Sequence, residues 1–420
     1  MRKHSCADSD VLVIGGGVIG LACAYYLSRS GQSVRIIEQA EMGAGASHGN
    51  CGLIFISDLP PLCVPGAIRK EVLRTLRGAS SLSIKPRLDL QLALWLLRFV
   101  ANCNRRHLDH AIRAREALLR ISGELLSDLF NEEALSCDHD QRGVLIAFTD
   151  PASMNGYAKT NQLLAPFGLA ATFYDGLSVH QLEPALSEQV CGGWHHEVDS
   201  HLRPEALMSA WTQIVREKGV CIEEGCRLEG FHTARGRVHA VGTSSGRFTA
   251  KHYILATGAW TPAITRQIKL RIPVQPGKGY SITTDRPAAC PQMPCYLYER
   301  SVVATPWQSG YRLGSTMEFS GFDTRLDQRR LDYLERSAAI YLQTPLGRRL
   351  TERWTGLRPM CVDDLPIIDR IPGLANLVIA TGHGMLGLST ATGTGRLVAD
   401  MILGQQPPFD PAPYSIRRFG

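Results

Sequence analysis

The sequence predicts an α/β protein in which a parallel sheet wound with helices is interrupted by a second, mostly antiparallel α+β domain. Three observations predict it. Residues 10 to 38 read as strand, glycine-rich turn, helix and strand; short strand candidates recur through the middle of the chain; and the C-terminal part returns to a strand followed by a helix. A length of 420 residues exceeds one ordinary core, and no low-complexity linker divides it, so two interleaved domains are expected.

Val11-Leu12-Val13-Ile14 is a buried strand, and Val18 to Arg29 is a helix with apolar residues at helical spacing, ended by Gly31. Ser33 to Glu38 is the second strand, and its apolar run suits a parallel sheet covered on both faces. The start has basic residues ahead of an apolar stretch, the outline of a secretion signal. Asp8, Asp10, three consecutive glycines inside the run and Glu38 beyond it argue instead for a retained strand and turn.

From Leu88 to about Phe130 the pattern is helical, with Leu90, Leu94, Leu97 and Val100 on one face. Two readings stay open: a helix packed on the domain, or a shallow membrane-contacting helix carrying Trp95 and Phe99. Strand candidates follow at 143–148, 192–196, 271–283, 296–305 and 311–315 and suggest a largely antiparallel sheet. Pro204 to Lys218 reads as a helix. Strands at 221–223, 252–257 and 377–381, and a helix from Ser389 to Leu403, fit back into the first sheet. The expected division is 8–60, 200–270 and 351–420 for the nucleotide domain, with 61–199 and 271–350 forming the inserted domain.

Composition narrows the function classes. The net charge of +6 comes from dispersed basic residues with no long run, so no nucleic-acid partner is expected. The twelve cysteines form no CxxC pair, and the proline-stiffened Cys290 and Cys295 lack matching ligands nearby, so free thiols in a reducing compartment and no metal are expected. No segment has the roughly 18 uninterrupted apolar residues of a spanning helix. A mild attraction to anionic membrane surfaces stays open.

Gly15-x-Gly17-x-x-Gly20, with Val18 and Ile19 inside it, follows a strand and opens a helix, and Glu38-Gln39 closes the next strand. The first glycine permits the tight turn, the second lets backbone approach a pyrophosphate, and the third lets helix and strand pack; Glu38 should accept from a ribose. This spacing alone allows FAD or NAD. Gly382-His383-Gly384-Met385-Leu386-Gly387 repeats it, but the chain after its helix supplies no acidic strand end, so a second nucleotide site is not expected. That helix N-terminus would aim its positive end at another electron-rich group, the pyrimidine edge of a flavin being the natural candidate. No GxSxG elbow accompanies Asp199-Ser200-His201, so a hydrolase triad is rejected in favour of a loop.

Further motifs carry a resemblance over nearly the whole chain. Gly45-Ala46-Ser47-His48-Gly49-Asn50-Cys51-Gly52, followed by Leu53, is similar to a GxSxxNxG stretch; Ala256-Thr257-Gly258-Ala259-Trp260 ends a strand in small residues; Pro273 to Ser281 reads PVQPGKGYS; and Trp354 to Pro359 reads WTGLRP. In these the chain resembles the FAD-dependent D-amino-acid oxidase and glycine oxidase superfamily, most of all its bacterial D-amino-acid dehydrogenases, including D-hydroxyproline dehydrogenase-like members. The resemblance implies a Rossmann-like FAD-binding domain with an inserted substrate domain, FAD held along these motifs, and Arg358 gripping a substrate carboxylate. Tyr280 is a candidate catalytic hydroxyl or a packing residue. His48 and His383 are candidates for positioning, and Lys278 either approaches the flavin or pairs structurally. Glycine oxidases carry an arginine two residues after the motif histidine, where this chain has Met385, which demotes that activity.

The implied reaction is hydride transfer from the Cα of a D-amino acid, or of a ring amine such as D-proline or cis-4-hydroxy-D-proline, to flavin N5. Electrons would pass to a quinone or respiratory carrier in a cytoplasmic protein, with peripheral contact at the inner face of the cell membrane left open. Two alternatives stand beside it: an oxidase that reduces O₂, and an FAD-bearing subunit of a hetero-oligomeric dehydrogenase.

Overall fold

The computed structural model describes residues 9–67, 69, 81–85 and 88–420; the charged start of the chain lies outside them. Along the chain, β1 (Ser9–Ile14), α1 (Val18–Arg29) and β2 (Val34–Ile37) lead to two helices, α2 (Leu90–Asn102) and α3 (Arg105–Glu132). Then come β3 (Val144–Phe148), β4 (Gly192–His196), α4 (Pro204–Glu217), β5 (Cys221–Glu223), β6 (Ala250–Leu255), β7 (Val274–Thr284), β8 (Cys295–Leu297), β9 (Val302–Trp307) and β10 (Gly310–Gly314). The chain closes with α5 (Gln328–Tyr341), β11 (Leu350–Cys361), β12 (Ile367–Arg370), β13 (Leu377–Thr381) and α6 (Ala391–Leu403).

The first sheet has the order β12-β13-β6-β1-β2-β5, parallel except for β12. Alternation along its strands fills two cores. Val11, Val13 and Ile36 face α1, α3, α4 and α6, whereas Leu12, Ile14 and Ile37 face the other layer with Val241 and Tyr253.

The second sheet runs Leu82–Ile84, Met317–Phe319, β7, β10, β9, β8, β3, β4 and Thr172–Asp175, with β11 paired along β7. Most of its pairs are antiparallel; β8 with β3 and the first two strands are the parallel ones. One face carries Tyr280, Ile282, Leu297, Val302, Ala304 and Leu313 and packs beneath α5. Its other face is the floor of a cavity.

The structure departs from the sequence reading in four places. Helix α3 packs on the nucleotide side with α1 and α6, and β11 belongs to the second sheet, so both cross the expected division. The strand expected at 296–305 is a hairpin, turned at Arg300 and Ser301, where Ser301 has a φ of 50°. The 88–130 stretch breaks at Asn104, whose side chain accepts from the His107 N–H and starts a second helix. Within α2, Leu90, Leu94, Leu97 and Val100 point outward, because Trp95 and Leu92 take the buried face against Phe319 and Met360.

Candidate active site

A cavity of about 1040 Å³ runs from the β1–α1 turn to β11. At its nucleotide end, Gly15 has a φ of 114°, and a Cβ there would stand 2.4 Å from the Ala256 carbonyl oxygen; a Cβ on Gly20 would stand 2.0 Å from the Gly15 oxygen. Only glycine permits this approach of turn, helix and strand end. Gly17 is the N-cap of α1, without a side-chain cap, and a Cβ on it would meet nothing closer than Ser47 Oγ at 3.4 Å. Ser47 Oγ accepts the Val18 N–H at 3.0 Å.

Glu38 stands at the tip of β2. Its carboxylate accepts the N–H of Gly16 at 2.7 Å and of Ala40 at 3.0 Å, which holds it beside the turn. Asn50 shapes the next wall: its Oδ1 accepts the Gly52 N–H at 2.8 Å, and its Nδ2 donates to the carbonyls of Ala46 and Ser47. Gly15, Gly17, Val18, Ile19, Glu38, Gln39, Ser47, Asn50, Gly52, Leu53, Ala256, Thr257, Gly258 and Trp260 all line the cavity. Gly20 lies behind it as a packing residue.

The second glycine-rich stretch supplies another wall. His383, Gly384, Met385, Leu386 and Gly387 line the cavity, whereas Gly382 does not. His383 is buried with Nε2 3.1 Å from Thr394 Oγ1, and burial pushes its pKa down to about 3, so it is neutral. Helix α6 starts only at Ala391, two residues later than expected. The N–H of Gly393 in its first turn is taken by Ser122 Oγ of α3, as that of Val18 in α1 is taken by Ser47.

At the far end, β7 and β11 pair Gly277 with Arg358, Gly279 with Gly356 and Ser281 with Trp354. Trp354, Gly356 and Arg358 line the cavity, and the bare backbone at Gly356 and Gly279 makes room for the Trp354 ring and the Arg358 guanidinium. The guanidinium of Arg358 lies across Gly279, where a Cβ would stand 2.1 Å from Nη1, and Nη1 donates to the Thr316 carbonyl at 2.9 Å. Among the described residues no carboxylate lies within ion-pair distance of Arg358, and burial pulls its pKa below the ordinary guanidinium value. A cation so placed calls for an anion.

Tyr280 corrects the sequence reading. Strand alternation turns it to the α5 face, where it is buried and donates its hydroxyl to Glu318 Oε2 at 3.1 Å, away from the cavity. Lys278 shares that face, buried and donating to the Arg325 carbonyl. His48 pairs with Glu352 at 2.8 Å, and this partner raises its pKa.

Several wall residues escaped sequence reasoning. Tyr296 and Ile146 stand side by side in the β8–β3 register on the cavity face, and Val303 continues that row. Tyr157 and His196 bond at 2.8 Å between Oη and Nε2, and burial pushes His196 down to about 4. Opposite them, the loop Phe55–Leu62 is held from below. Asp199 accepts the N–H groups of Ile56 and Ser57 at 2.8 and 3.0 Å and the Ser57 hydroxyl at 2.6 Å, and burial raises its pKa to about 7. Arg115 on α3 bonds both Asp58 and Asp364. Only cross-strand register, not local pattern, would have found the first group; Asp199 was visible in the sequence but read as part of a plain loop.

Residues 10–401 match the family model described as FAD dependent oxidoreductase. The chain belongs to this family. FAD is therefore its cofactor, and the residues fit: bare backbone at Gly15 and Gly17 beside the start of α1, an acidic strand tip, and one cavity continuing to the second sheet. Among curated relatives, it is 34% identical to a D-amino acid dehydrogenase of Methylobacterium nodulans, covering 94% of this chain and 96% of the relative. It is 32% identical to another of Methylobacterium sp. (strain 4-46), covering 97% and 99%.

Solved structures agree on the fold. Glycine oxidase from Geobacillus kaustophilus superposes with a TM-score of 0.76 at 21% identity, covering 97% of this chain and 98% of that one. L-amino acid deaminase from Proteus vulgaris gives 0.77 at 15% identity, covering 100% and 99%. The architecture is thus shared by proteins named for glycine and for L-amino acids, and does not by itself give the hand of a substrate. Among the described residues no helix is long and apolar enough to cross a membrane, and no cluster of three metal-ligating side chains is present.

Proposed function

We propose that this FAD-dependent oxidoreductase oxidises a D-amino acid at the Cα–N bond, cyclic secondary amines of the D-proline type included, and passes the electrons to a quinone or respiratory acceptor at the inner face of the cell membrane. The observation that carries the proposal is Arg358: a buried guanidinium with no carboxylate partner among the described residues, at the far end of the cavity that the dinucleotide motif opens. The relatives named D-amino acid dehydrogenase support the choice of hand.

FAD, when bound, supplies the hydride acceptor. The chain supplies position. Arg358 would take the substrate carboxylate through two parallel hydrogen bonds, which fixes the direction of the Cα–H bond. Trp354 covers Gly49 and Gly356 beside it and confines the substrate to one side. Loss of the Cα hydrogen with its bonding pair as hydride, and of one N–H proton to solvent, leaves an imine, and water hydrolyses a primary imine to the keto acid and ammonia. His383 and His196, both held neutral by burial, do not add charge near the reacting carbon at neutral pH.

An anaerobic screen of the yellow protein tests this. D-amino acids or D-proline should bleach the flavin band while their L-isomers leave it unchanged, and reoxidation should be faster with a quinone than with air. Bleaching by L-isomers alone would refute the substrate assignment; stoichiometric peroxide with no quinone reduction would refute the acceptor.

A further inference from the structure

Helix α2 presents two faces of opposite character that cannot exchange. Its inner face is pinned at its middle and at its C-terminal end: Trp95 Nε1 donates to the Pro273 carbonyl at 3.1 Å, and Asn102 Nδ2 donates to the Val362 carbonyl at 3.2 Å. On the same face, Leu92 and Phe99 pack with Phe319 and Met360. The helix therefore cannot roll to hide its other side. That side carries Leu90, Leu94, Leu97 and Val100, which are 75%, 50%, 66% and 49% exposed. With Ala93 and Ala101 they fill an arc of roughly 120° at 100° per residue. Leu88, just before the helix, is also fully exposed. A contiguous aliphatic stripe of this kind is seldom left in water.

Charge indicates what covers it. Exposed Arg98 borders the stripe, exposed Arg105 and Arg106 follow the helix, and Arg266 reaches its edge by donating to Gln91 Oε1 at 2.8 Å. The helix itself contains no acidic residue, and Asp89 is engaged as its N-cap. Asp109 is already paired with Arg105 at 3.3 Å, so Arg98, Arg106 and Arg266 leave the surround positive, and a second copy docked by a two-fold axis would set one positive face against another. An aliphatic stripe flanked by cations suits an interface in which hydrocarbon lies beneath phosphate groups.

We propose that the outer face of α2 lies on an anionic lipid bilayer, with its leucines below the headgroups and the arginines among them. This deepens the quinone-coupled reading and rests on it only for its purpose, since a lipid-dissolved acceptor is met at such a surface. Met360, packed under the helix, lies two residues along β11 from Arg358, so the docked face is built on the strand that carries the substrate anchor.

The experiment is flotation of the FAD-loaded protein with vesicles of phosphatidylcholine containing phosphatidylglycerol, and with phosphatidylcholine alone. Binding to the anionic vesicles, weakened by salt, is expected. Leu94→Glu/Leu97→Glu should lower it by about tenfold or more, and Arg98→Glu should lower it less. Flavin content and anaerobic reduction by substrate should be unchanged in both, which separates this proposal from the substrate assignment. Failure of the parent protein to bind anionic vesicles would overturn it, as would full binding by the double variant. So would a dimer in solution that the double variant converts to monomer, because a second copy would then own the face.

Discussion

Two segments of this chain share a glycine spacing and do different work. Gly15 to Gly20 passes directly from β1 into α1, with Gly17 as the helix cap and backbone contacts that exclude any Cβ at Gly15 and Gly20. Gly382 to Gly387 instead forms a turn with positive φ at Gly382 and Gly384, buries His383, and reaches α6 only at Ala391. The spacing sets backbone freedom; the distance to the helix start decides whether that freedom presents N–H groups to a phosphate.

That contrast can be broken by substitution. Gly15→Ala forces a Cβ into the Ala256 carbonyl at a φ that side chains avoid, a cost of at least about 1–3 kcal/mol before the clash is counted. It should purify with little flavin, measured by the ratio of visible to ultraviolet absorbance; full flavin content would remove the close-approach argument. His383→Asn should act through pH. The folded pKa of His383 is about 3 against 6.5 in the unfolded chain, so its contribution is complete above pH 6.5 and is lost as pH falls toward 3. Thermal unfolding of the parent should therefore steepen below pH 6.5 by up to about 1.4 kcal/mol per pH unit relative to the variant. Parallel curves would show that the imidazole is not held neutral. The smallest effect belongs to Gly387→Ala, whose Cβ would meet only His383 Cβ at 3.7 Å, an ordinary contact. Flavin content and turnover should both stay within a factor of about two; a colourless product would mean that the second segment is as exacting as the first.

What the sequence revealed follows from range. Residues 10 to 38 are a local unit, so apolar period, turn glycines and Glu38 were readable together. Arg358 was readable through its motif. Tyr280 stayed open between catalysis and packing because PVQPGKGYS places alternate residues on opposite faces, and nothing local tells which face meets the cavity; only pairing with β11 does. The same uncertainty of phase hid the outward turn of Leu94 and Leu97, which Trp95 decides by taking the interior. Tyr157, His196, Ile146 and Tyr296 come from separate elements brought together by sheet order, so no window of sequence contains them.

The central claim is that Arg358 is the carboxylate anchor and FAD binding is a separate matter. Arg358→Met, reduced anaerobically by a D-amino acid that bleaches the parent, tests it most directly. The variant should retain its flavin and need roughly a hundredfold or more substrate for half-reduction, as expected for the loss of a bidentate charge pair. Unchanged substrate dependence in a flavin-loaded variant would contradict the account.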